Sequence, residues 1–268
     1  MKYLIFFLIV LPFNLKGIDD SYFPQIKGCF CEGGLIYGKA KKKDRIIIDE
    51  NIIKVSKDGF FIFAFGRNFN KDLNISINGK KKKYKIKKKK YKIEIINNLA
   101  SNKVEPNQKE IQKILHDKKE IETAKKKSED KKLFKEDFIL PANGRISGVF
   151  GSQRILNKKP RRPHYGIDIA APKGTPIISP ANGIVTLVAK DMFFTGNTVI
   201  IDHGLGLISI FAHLDKINLL EGTNVKMGTL IGSIGQTGRA TGPHLHWGVY
   251  LGNKPVDPNS LIGKKENN

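Results

Sequence analysis

Two cysteines in 268 residues, Cys29 and Cys31, are too few for a disulfide-built scaffold. A bridge across one intervening residue is strained, and a zinc ribbon needs two pairs, each spaced by two to four residues. Gly28-Cys29 does not read as a lipid-attachment site either, since Lys27 precedes it and the apolar run ends well upstream. The pair is therefore expected to be two small buried side chains. Arginine is also scarce, at 7 of 47 basic residues. Apolar runs near the ~20 residues of a membrane-crossing helix are lacking too, and the 40% hydrophobic content excludes a multi-span membrane protein. The run Tyr3 to Phe13 has eleven residues, follows Lys2 and precedes Asn14-Leu15-Lys16-Gly17, the pattern of an export signal over residues 1–17. The protein is then expected to act outside the cytoplasm, in the periplasm or cell envelope.

What is abundant is lysine, which carries most of a formal charge of +22. Residues 1–140 hold 33 basic and 18 acidic residues, and residues 141–268 hold 14 and 7. An AT-rich coding bias produces such an excess; so does selection for a polyanionic surface such as cell-wall polymer or lipid headgroups. The excess lies mainly outside the half that holds the histidines, which suits placement or solubility rather than catalysis.

The texture changes twice along the chain. Residues 25–100 read as a basic N-terminal β-domain, with Arg45-Ile-Ile-Ile-Asp, Gly59-Phe-Phe-Ile-Phe-Ala-Phe-Gly and Leu73-Asn-Ile-Ser-Ile-Asn-Gly as short strands between turn signals. Lys81 to Ile96 alternates Lys with Tyr or Ile, the period of a half-buried strand. Interleaved Lys and aromatics are a nucleic-acid pattern, but export removes that partner, and Lys also protects strand edges. No nucleic acid is expected. Residues 106–135 have helical spacing and a thin apolar stripe (Ile111, Ile114, Leu115, Ile121), which predicts a charged, solvated linker helix with His116 as a surface histidine. From residue 138 to 264, Gly, Pro and short strands predict an antiparallel β-domain holding five of the six histidines. The fold class is thus mainly β.

Three histidine groups carry the chemistry: His164-Tyr-Gly-Ile-Asp168, His213 in Phe211-Ala-His-Leu, and His244-Leu-His246. On a strand, His244 and His246 project to one face while Leu245 turns to the other. His164 and Asp168, with Gly166 between them, can reach one metal from a bend. Two imidazoles and a carboxylate suit Zn²⁺ and leave a fourth position for water. Each element alone is weak; together, in one short β-domain, they are specific.

From about Gly144 to Ile262 the chain resembles the LytM/lysostaphin-type zinc metallopeptidases, peptidase family M23. The resemblance rests on Ser147-Gly-Val-Phe-Gly-Ser-Gln-Arg154, His164-x-x-x-Asp168, Ala171-Pro-Lys-Gly-Thr-Pro, His203-Gly-Leu-Gly, His213-Leu, Gly235-Gln-Thr-Gly and His244-Leu-His246. It implies a small antiparallel sheet whose groove holds one Zn²⁺ per chain, with His164, Asp168 and His246 as ligands. His213 and His244 would be the catalytic pair, a division that spacing alone does not give. His203 reads as structural. Some members place a Tyr shortly before the first ligand; no aromatic residue lies between Arg154 and His164, so that role stays unassigned. There is no His-Glu-x-x-His, hence no glutamate base of that kind, and an imidazole is left to accept the water's proton. The implied activity is cleavage of peptide bonds in peptidoglycan stem peptides or cross-links. Two alternatives stay open: a non-catalytic regulator of other wall hydrolases, and an exported protease acting on proteins.

Overall fold

The computed structural model describes residues 23–135 and 137–263, so the expected export signal lies outside the described residues. Among the described residues no helix is long and apolar enough to cross a membrane. Strands β1 (Ile26–Gly28), β2 (Leu35–Lys39), β3 (Ile46–Ile48), β4 (Asn51–Ile53), β5 (Phe60–Ala64), β6 (Leu73–Ile77) and β7 (Lys80–Tyr84) form two small antiparallel sheets, ordered β1-β2-β5 and β4-β3-β6-β7. Alternation decides the inner face: Leu73, Ile75 and Ile77 are fully buried, while Asn74 is exposed.

The segment Lys81 to Ile96 is not one strand. It divides into β7 and β8 (Ile93–Ile96), which join different sheets, with Lys87 bridging to Cys31 between them. Local alternation sets side-chain faces but not partners, and β8 pairs in parallel with a strand 60 residues away. The cysteines are also corrected, because Cys29 and Cys31 form a disulfide. A tight turn, with Gly34 N–H donating to Cys31 O and Cys29 N–H to Leu35 O, sets their Cα atoms 5.3 Å apart, within the bridging range. Phe30 then points away and stacks on Tyr84.

Helices α1 (Ser101–Val104) and α2 (Gln108–Lys126) follow. At the start of α2, Asn107 and Glu110 exchange side-chain-to-backbone hydrogen bonds as a capping box. The helix is docked, not solvated. Its Ile111 and Leu115 are exposed, but Ala124 is buried in a cluster with Leu187, Met192, Ile200, Ile208 and Ile210. Buried Asp117 accepts a 2.6 Å hydrogen bond from Phe193 N–H. Ile121 of the apolar stripe packs partly buried against that cluster, and the small Ala124 and the acid Asp117 complete the contact.

The remainder is β-structure: β9 (Arg145–Gly148), β10 (Gln153–Leu156), β11 (Lys159–Pro160), β12 (Ile167–Ala170), β13 (Pro176–Ile178), β14 (Gly183–Met192), β15 (Gly196–Asp202), β16 (Leu207–Ile217), β17 (Asn224–Val225), β18 (Leu230–Ile234), β19 (His244–Leu251) and β20 (Lys254–Val256). The main sheet runs β17-β14-β15-β16-β19-β12-β9, antiparallel throughout. Its inner face holds Phe211, Leu245 and Trp247, all fully buried. That core is shared, for Leu35 and Ala64 of the N-terminal strands belong to the same cluster as Phe134, Phe138 and Trp247.

Candidate metal centre

Strand pairing builds the site. β12 and β19 set Asp168 directly opposite His246, and β16 sets Ala212 opposite His246 on the other side. Within β19, Leu245 and Trp247 point to the core, so His244 and His246 emerge together on the groove face. His164 enters from the preceding loop, its N–H bonded to Ser152 O.

Asp168 Oδ1 lies 3.0 Å from His164 Nε2 and 2.8 Å from His246 Nδ1, and those two nitrogens are 3.0 Å apart. Ligand atoms about 2.0–2.1 Å from a tetrahedral metal sit ~3.3 Å from one another, so the three atoms need only a slight opening to hold one ion. Their supports fit that use. His164 Nδ1 faces Val149 O at 3.2 Å and so carries the proton there, freeing Nε2 as a donor to metal. Asp168 Oδ2 is held by Arg154, whose Nε also donates to Glu94 at 3.3 Å. Burial alone would raise the Asp168 carboxyl, but the close contacts of the His164 and His246 imidazoles hold it well below the usual carboxylate range. Burial pushes His246 down to about 4, against its bond to Asp168.

Two glycines are required by close approach. A Cβ on Gly148 would lie 2.5 Å from Asp168 Oδ2, and one on Gly166 would lie 2.5 Å from Trp247 O and 2.7 Å from the His246 ring.

His213 and His244 flank these three, with ring centroids 4.6 Å apart. His213 Nδ1 donates to Thr237 O at 2.7 Å and His244 Nδ1 to Gly242 O at 2.9 Å, which leaves each Nε2 unprotonated and available. His244 Nε2 is 3.9 Å from Asp168 Oδ1. His213 sits in a left-handed backbone (φ 66°), a strain of about 1–3 kcal/mol that its bonds to Thr195 O and Thr237 O stabilise. Burial, then the charges of His244 and His246, push His213 down to about 3, so it is neutral at working pH.

The remaining histidines lie elsewhere. His203 is sealed between Asn182 O and Ser209 Oγ, and His116 is exposed on α2 beside Asp117 and Glu120. The sequence reading missed Glu94, the supporting role of Arg154 and the groove arginines. The one signal for Glu94 is that it is the lone acid in a lysine-rich run.

A β-sheet groove with a buried His–His–Asp triplet and two further imidazoles defines a metallopeptidase-type centre. Residues 162–258 match the model of peptidase family M23, and the C-terminal part of the chain belongs to that family. The chain is 42% identical over 117 residues to DD-carboxypeptidase/endopeptidase Mpg of Neisseria meningitidis, a match covering 44% of this chain and 27% of that protein. It is 39% identical over 114 residues to peptidoglycan DD-endopeptidase ShyA of Vibrio cholerae, covering 42% and 26%. The chain thus spans about a quarter of the length of these curated relatives. A solved peptidase M23 from Pseudomonas aeruginosa aligns over 88% of this chain and 96% of its own, with TM-score 0.63 and 27% identity. That likeness extends beyond the matched domain into the N-terminal strands.

Proposed function

We propose that the chain is an exported zinc endopeptidase that hydrolyses peptide bonds in peptidoglycan, with His164, Asp168 and His246 holding one Zn²⁺. The observation that carries this reading is the mutual 2.8–3.0 Å spacing of His164 Nε2, Asp168 Oδ1 and His246 Nδ1. Zinc so held supplies a Lewis acid and lowers the pKa of bound water toward ~7. The residues of the chain do the rest. His213 and His244 each present Nε2 to the groove, so one of them accepts the water's proton, holds it against the developing oxyanion as a hydrogen bond and then passes that same proton to the leaving amine. Arg154 orients the Asp168 carboxylate so that Oδ1 alone faces the imidazoles. The substrate assignment is supported by the names of the relatives, Mpg and ShyA. The lysine excess, including exposed Lys81, Lys82 and Lys83 on edge strand β7, fits attraction to an anionic envelope surface.

Purified peptidoglycan incubated with the zinc-loaded chain, followed by mass analysis of released fragments, tests the proposal. New peptide termini are expected, and they should vanish with chelator and in His164→Ala. A chain that cuts unfolded protein but not peptidoglycan would have the wrong substrate assigned. One that holds zinc and cuts neither would be a regulator.

A further inference from the structure

The groove beside the histidines encloses about 430 Å³ and is lined by three guanidinium groups, from Arg145, Arg154 and Arg239, against the carboxylates of Asp168 and Glu94. Those two acids are already engaged. Asp168 faces the imidazoles, and Arg154 bridges it to Glu94. Arg239 has no such partner. Its Nη1 donates to Lys103 O at 3.2 Å and its guanidinium lies over the Phe194 ring at 4.3 Å, but among the described residues no carboxylate pairs with it. Neighbouring Arg161 donates only to the carbonyls of Pro160 and Val104, each at 3.0 Å, and does not neutralise it. Burial, then the charges of Arg154 and Arg161, lower Arg239 to about 10, so it still carries its proton at neutral pH. A half-buried, aromatic-backed guanidinium with donors to spare selects carboxylate through paired hydrogen bonds.

We propose that Arg239 is a substrate-binding residue that holds a free carboxylate of the peptide lying in the groove. This rests on the peptidase reading above and adds a specificity to it. Arg239 and His244 bound one short loop, Ala240-Thr-Gly-Pro243, so the carboxylate belongs to a residue near the scissile bond. It comes either from a peptide C-terminus or from an acidic side chain.

A synthetic wall stem pentapeptide tests the assignment in three forms: free acid, C-terminal amide, and side-chain amide. Its binding to the full zinc-loaded chain carrying His213→Ala, which suppresses turnover, is read by fluorescence anisotropy. One amide, and only one, should bind about tenfold more weakly than the free acid, and it identifies the source of the carboxylate. Adding Arg239→Gln should weaken the free acid to the level of that amide and leave the amide unchanged. Arg239→Lys, which keeps the charge without the fork, should restore part of the difference. Equal binding of all three forms overturns the proposal whether or not the glutamine variant folds, and so does discrimination that persists in Arg239→Gln. Hydrolysis by the unsubstituted chain is scored separately. Acid-selective binding without cleavage would sink the peptidase reading and leave the carboxylate site standing.

Discussion

Replacing His203 tests whether a polar chain buried beneath the groove sheet is neutral. His203 Nδ1 lies 2.8 Å from Asn182 O, so it donates there, and Nε2 must accept from the Ser209 hydroxyl at 2.9 Å. Ser209 Oγ in turn accepts from Trp247 Nε1 at 3.1 Å. Every partner in this chain is used once, with His203 uncharged. His203→Leu keeps the volume close but orphans the Asn182 carbonyl and the Ser209 hydroxyl; at about 1–3 kcal/mol per unsatisfied buried group, a loss of about 3 kcal/mol is expected at pH 7. Burial lowers His203 from 6.5 to about 4. The unfolded chain therefore binds a proton near pH 6.5 that the folded chain refuses until about pH 4. Stability contributed by neutral His203 is fully present above pH 6.5 and falls as pH drops, by about 2 kcal/mol at pH 5 at 1.36 kcal/mol per unit. The leucine variant lacks this dependence. Other histidines titrate equally in both proteins and cancel. Urea unfolding at pH 7 and pH 5, with chelator in both, should show the gap narrowing by about 2 kcal/mol. A gap independent of pH would refute both the neutral tautomer and its depressed titration.

His164→Ala should lose zinc and activity together, whereas His213→Ala should keep zinc while turnover drops by about 10²-fold or more; atomic absorption beside kinetics separates the two, and zinc missing from His213→Ala would reverse the roles. Arg154→Gln frees Asp168 Oδ2, so competition with a chromophoric chelator should show zinc held about 10–100-fold more weakly; unchanged affinity would mean that the ion pair is only structural. Removing residues before 138 uncovers the side of the core faced by Leu35 and Ala64 and takes Glu94 from Arg154. The fragment should melt well below the full chain by circular dichroism, and equal melting would show that the shared core is dispensable.

Legibility in the sequence follows the range of the interaction. His244-Leu-His246 is readable because alternation on a strand is local, and Leu245 and His246 do fall on opposite faces. That Asp168 stands across from His246 depends on pairing 78 residues apart; the residue types suggest one shared site, but the choice of His246 over His244 comes only from the family resemblance. The same limit explains β8, whose partner β10 no local pattern names. The docking of α2 is only partly legible: Ile121 of the apolar stripe does pack on the sheet, but Ala124 packs by being small and Asp117 accepts from a loop N–H, and hydrophobic counting sees neither. The disulfide is not legible from spacing, because one intervening residue looks too short to bridge until the turn before Leu35 brings Cys29 and Cys31 to bridging distance. Arg239 gave no signal at all, since an unpaired guanidinium is recognised only once its neighbours are known to be other arginines and a ring.

These long-range contacts place the working unit beyond the family's own boundary. The match begins at residue 162, yet Arg154, which holds the second oxygen of Asp168, precedes it, and Glu94, which braces Arg154, belongs to the N-terminal half. β8 extends the small sheet of β10 and β11, and with it Glu94, Ile95 and Ile96 become one wall of the groove. Lys103 O, just before α2, holds Arg239 on the same side. Asp257 near the C-terminus pairs with Lys89 and donates its N–H to Gly33 O, locking the N-terminal strands onto the sheet that carries the histidines. The clustered donor atoms of His164, Asp168 and His246 can be set by two strands and a loop, but the charge and shape of the groove around them depend on residues from the N-terminal half, which is why the lysine-rich half cannot be only an electrostatic tether.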